Sequence, residues 1–77
     1  MLVRSQDNEK ITDRIEFLIA EIPEKGWGVY QPDHYRVFAK YSTFEKAIKS
    51  LDFVEQAYIV GTYVFQFPAE EEIPDEE

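Results

Sequence analysis

A chain of 77 residues with no cysteine and a single histidine has to hold its fold together by packing alone. Domains of this size bury a smaller share of their surface than larger ones do, and many add disulfides, a structural metal or self-association. Disulfides need cysteine, and a tetrahedral zinc site needs several Cys and His ligands. What remains is association with another chain or unusually dense aromatic packing. The sequence supplies the second, with six Phe, five Tyr and one Trp.

The net charge of −8 is unevenly spread. Residues 68–77 hold six of the sixteen acids, Glu70, Glu71, Glu72, Asp75, Glu76 and Glu77, and none of the eight bases. Residues 1–67 therefore carry ten acids against eight bases, a net of −2. This division predicts a single domain over residues 1–67 and a flexible acidic tail over 68–77, in which Ile73 is the one sizeable apolar residue. In the body, lysines and arginines are scattered among carboxylates, so direct binding of nucleic acid through a basic patch is not expected. No apolar run approaches the roughly 20 residues that span a membrane, and the N-terminus lacks a basic stretch followed by an apolar one. A cytoplasmic protein without a membrane partner is the expectation.

Along the chain, Ile11, Ile15, Leu18, Ile19 and Ile22 recur at the spacing of one helical face. A helix is predicted over residues 8–22, capped by Ser5 or Asp7 and stopped by Pro23. Phe17 lies off that stripe, either packed under a loop or the N-terminal Leu2-Val3, or exposed as an anchor for a partner. After a turn at Glu24-Lys25-Gly26, Trp27 to Tyr30 reads as a strand. Gln31-Pro32-Asp33-His34 has the chemistry of a tight turn. Residues 35–41 then alternate, with Tyr35, Val37, Ala39 and Tyr41 on one face and Arg36, Phe38 and Lys40 on the other, so the two strands are expected to form an antiparallel hairpin.

Ser42-Thr43-Phe44-Glu45 has the pattern of a capping box with Ser42 as the cap, followed by the stripe Phe44, Ala47, Ile48 and Leu51 of a short helix. Residues 57–67, rich in β-branched and aromatic side chains, read as a long last strand bent at Gly61. The predicted fold is α+β, in the order α-β-β-α-β, with two helices on one face of a three-stranded, mainly antiparallel sheet. The run from Tyr35 to Leu51 resembles a generic strand, cap and helix arrangement found in many small proteins, small phage-encoded inhibitors of host enzymes among them, and it names no family.

Chemistry is sparse. There is no glycine-rich phosphate loop, no pair of histidines at metal-ligand spacing and no calcium-loop pattern. His34 beside Asp33 has no nucleophile placed against it and reads as a solvated turn residue. Neither an enzyme nor a cofactor is expected. Both faces of the predicted last strand are apolar, while the two helical stripes suffice to cover one face of the sheet. The leftover apolar surface points to a contact with another protein or a second copy, through an open sheet face or edge. Phe38, with Arg36 and Lys40 beside it, and Phe17 are the candidate partner-binding residues. Two further readings stand beside this one. The first is an acidic phage- or plasmid-type inhibitor mimicking nucleic-acid charge, which should carry its carboxylates on the folded surface; the second is a small enzyme subunit.

Overall fold

The computed structural model describes residues 1–74, apart from the side chain of His34; the reading of that histidine and the last three residues of the expected tail lie outside it. Six strands and one α-helix follow in the order β1 (Leu2–Arg4), β2 (Ile11–Thr12), β3 (Leu18–Ile22), β4 (Gly26–Gln31), β5 (Arg36–Tyr41), α1 (Phe44–Ile59) and β6 (Val64–Gln66). They make two sheets of three strands. One is an antiparallel meander, β3-β4-β5; the other, β2-β1-β6, joins β1 to β2 antiparallel and to β6 parallel.

The predicted first helix is absent, and its residues form β2 and β3. The polar residues assigned to its cap close a β-hairpin instead. Ser5 Oγ donates to Asp7 Oδ1 (2.5 Å) and accepts from Lys10 N (3.0 Å), while Asp7 Oδ1 accepts from Glu9 N (3.0 Å). Asn8 turns the chain at φ 69°. Side chains that bond nearby backbone serve a turn as well as a helix cap, and β-branched isoleucines favour the strand. Ile22-Pro23-Glu24-Lys25 then reverses the chain, with Lys25 N donating to Ile22 O (2.9 Å) and Glu24 at φ 64°.

The hairpin of residues 27–41 stands as expected, extended by β3 into the meander, with a 3-10 turn at Asp33–Tyr35 joining β4 to β5. Its facing departs from the expected alternation at Tyr35, which lies exposed in the turn, and at Phe38. Val29 pairs with Ala39 and Tyr30 with Val37, so Phe38 is the extra residue of a β-bulge. A bulge breaks strict alternation. Phe38 and Ala39 are consequently both buried, although they are consecutive, while Arg36 and Lys40 stay exposed.

The helix starts one residue later than the capping box implied. Thr43 is its cap, with Oγ1 accepting from Lys46 N (3.1 Å). It also runs on to Ile59, so the long last strand shrinks to three residues. Its end is a Schellman motif: Thr62 N donates to Ala57 O (2.9 Å) and Gly61 N to Tyr58 O (3.2 Å), with Gly61 at φ 80°. Gly61 thus ends a helix rather than bending a strand, because a left-handed residue suits it at low cost.

α1 packs against β4 and β5. The core joins Val3, Val29, Phe38, Ala39, Tyr41, Ala47, Val54, Phe67 and Ile73. Beside it, Phe17 meets Phe38 and Phe67 edge-on with centroids 5.5 and 5.2 Å apart, and Phe65 meets Phe67 at 5.7 Å. Edge-to-face pairs add to what area burial gives. This is the dense aromatic packing that a chain without staples requires.

The described part of the expected tail packs on the body. Ile73 is 1 % exposed. Pro68 O accepts from Tyr41 Oη (2.8 Å) and Gln6 Nε2 (3.1 Å), and a 3-10 turn at Glu70–Glu72 lies against the start of α1. The apolar content of this segment is low, but one isoleucine and one proline carbonyl in the right places are enough to seat it.

Candidate functional site

Of the four residues expected to meet a partner, Phe38 is not available, being 1 % exposed within the aromatic cluster. The Arg36 guanidinium carbon stands 5.8 Å from its ring centroid, so arginine and phenylalanine share a contact but not an open face. Lys40 is exposed at its side chain. Its backbone is occupied: Gln6 Oε1 accepts from Lys40 N (3.0 Å) and Gln6 Nε2 donates to Lys40 O (3.2 Å). One side-chain amide thereby imitates a partner strand and, with Gln6 N donating to Phe38 O (2.7 Å), closes the outer edge of β5. Phe17 is half-buried, with one side on Phe38 and Phe67 and the other open to a groove.

That groove follows from how α1 is seated. The helix buries three small or medium residues and one lysine: Ala47 and Ser50 are fully buried, Val54 and Lys46 nearly so, and Ser50 Oγ donates to Ala47 O (2.6 Å). With Ala47, Ser50 and Val54 against the meander, Leu51 is half-buried beside the core and most of the other large apolar side chains fall on the flanks. Phe44, Ile48, Phe53, Tyr58 and Ile59 are all substantially exposed. Phe44 leans on Trp27 with centroids 5.0 Å apart. On the other flank a cleft of about 350 Å³ lies between Ile15 and Phe17 on one side and Leu51, Asp52, Val54, Glu55 and Tyr58 of α1 on the other.

Tyr58 carries the apolar surface past the helix end. Beyond it stand Ile59 (66 % exposed), Val60 (73 %) and Tyr63 (88 %), then Val64, which pairs with the exposed Leu2. Scattered apolar residues are ordinary on a protein surface, whereas so many exposed within one short stretch of chain are not. The sequence held a signal for it in the excess of apolar residues over residues 57–67, but the strand reading put them on a sheet face. β3 offers a second contact surface as a meander edge that pairs only with β4 among the described residues. It is short, bears Glu21 and is followed by Pro23, features that blunt an edge.

The polar clusters are structural. Glu70 accepts from Ser42 N (2.8 Å) and from Ser42 Oγ, and faces Lys46 Nζ at 3.2 Å. The Ser42 hydroxyl, then its amide and Lys46, hold the Glu70 carboxyl below its ordinary range. Burial pushes the Tyr41 phenol up, so it remains a donor to Pro68 O. Each of these groups is satisfied by its neighbours and none of them lines the cleft.

Compared with protein-family models, curated proteins and solved structures, the chain matches none. No helix among the described residues is long and apolar enough to cross a membrane.

Proposed function

We propose that this chain is a non-enzymatic interaction protein that binds another protein through the cleft beside α1 and the apolar turn that continues it. The observation that carries the reading is the inverted seating of α1, with small residues against the sheet and Tyr58, Ile59 and Val60 in water. Fully burying a side chain such as Ile, Leu or Val is worth roughly 1.5–3 kcal/mol. A domain near the lower size limit that leaves several in water forgoes a sum comparable to its whole stability, unless a partner covers them. The test is a photo-crosslinking residue at position 58, with position 35 as an exposed aromatic control on the β4–β5 turn. A discrete adduct from 58 that is missing from 35, and is lost when Val60→Asp is added, is the expected result. The same products from both positions overturn the reading.

The charge-mimic reading gains support from one observation. The turn at Glu70–Glu72 is anchored, so Glu71 and Glu72 sit exposed on the folded surface rather than in a free tail. The apolar surface lies on other elements, and a mimic has no use for it. For that reason the interaction reading is preferred.

A further inference from the structure

We infer that the occupant of the cleft is a cationic amphipathic helix of another protein, an inference that rests on the interaction reading above. The cleft is apolar at its walls, where Ile15 and Phe17 face Leu51 and Tyr58, and acidic at its rim, where Asp52 and Glu55 stand on α1. Asp52 and Glu55 are one helical turn apart, both exposed, and neither forms an ion pair among the described residues. Beside Ile15, Arg14 is shared between Glu16 (3.4 Å) and Asp33 (3.5 Å), while Lys49 lines the neighbouring groove together with Asp52.

Size and charge together select the occupant. At about 350 Å³ the cleft is at the small end for a ligand pocket, roughly 300–1,000 Å³, and it is open along the helix, so it suits apolar anchors from a macromolecule. Leu51 to Tyr58 spans about 10 Å at a rise of 1.5 Å per residue. That length matches a facing helix with anchors at i, i+4 and i+7, the usual spacing of helix-in-groove recognition. Lysines or arginines flanking those anchors would meet Asp52 and Glu55. A second copy of the chain is disfavoured, because it would bring another net charge of −8 against this one.

The experiment titrates the full chain with two synthetic helices that share leucines at i, i+4 and i+7 and differ in their flanks, Lys/Arg in one and Glu in the other. The Lys/Arg peptide is expected to bind at least about tenfold more tightly, with the preference shrinking at high ionic strength. D52N/E55Q, two exposed and conservative changes, should reduce that preference about three- to tenfold. Equal binding of both peptides in the cleft overturns the cationic assignment and leaves the interaction reading intact. If neither peptide shifts the signals of Leu51 and Tyr58, and position 58 also fails to cross-link, both fall. Concentration-dependent dimerisation abolished by Tyr58→Asp assigns the cleft to a second copy and overturns the inference.

Discussion

Glu70 shows how a residue expected to be solvated charge becomes a fastener. Its carboxylate accepts from the amide and hydroxyl of Ser42 and faces the Lys46 ammonium, across a separation of 28 and 24 residues in sequence. These partners favour the ionised form, so Glu70 in the folded chain holds its charge to lower pH than the ordinary value of 4.5. The unfolded chain takes up the proton first as pH falls. The stabilisation is therefore complete above about 4.5 and is lost as pH drops through the folded value. Asp7, also lowered, by the Ser5 hydroxyl first and then the Glu9 amide, acts in the same direction. Glu70→Gln should be less stable than the native chain at neutral pH and converge with it in acid. Denaturation midpoints measured across that range check this, and parallel profiles for the two proteins would refute it. Ser42, assigned to the helix cap by its sequence pattern, is thus a partner of Glu70 rather than a cap.

Among the elements, α1 was legible in its existence and not in its ends. The Ser-Thr pair offers two adjacent hydroxyls, and either satisfies the cap pattern; Thr43 bonds the Lys46 amide and leaves Ser42 for Glu70. Thr43→Ala should lower stability by about 1 kcal/mol, the usual loss for a cap oxygen. An unchanged midpoint in urea would show that the cap contributes nothing here. The far end went unread because Ala57 to Val60 is as good a strand sequence as a helix sequence, and the Schellman bonds at Gly61 settle it. The first predicted helix failed for a similar reason. Leu18, Ile19 and Ile22 fit a helical stripe, yet Leu18, Ala20 and Ile22 also alternate with Ile19 and Glu21. The choice between them comes from β4, which pairs with all five residues of β3.

For the whole molecule, the C-terminal segment is the sharpest test. Removing residues 68–77 deletes buried Ile73, the Pro68 acceptor of Tyr41 and the Glu70 fastening, and it exposes Phe67. It also removes six negative charges, which taken alone would relieve repulsion. Loss of a buried isoleucine costs on the order of 2–4 kcal/mol, whereas exposed charges contribute roughly 0–1 kcal/mol each and are screened by salt, so packing should win. Truncation after Phe67 is expected to lower the melting temperature by about 10 °C or more. A melting temperature within a degree or two of the native chain would mean that the packed segment adds no stability. Composition and local turn chemistry were sufficient for a small α+β fold, aromatic packing, the β4–β5 hairpin and the existence of α1. They did not reach what depends on contacts between distant residues. The parallel pairing of β1 with β6, the packing of Phe38 against Phe17 and Phe67, the closure of β5 by Gln6 and the seating of Ile73 are all long-range. Periodicity records which residues are apolar, while only the assembled fold decides which of them remain in water. The exposed apolar surface at Tyr58, Ile59 and Val60 belongs to that second kind, because it exists only once α1 has been seated on the meander.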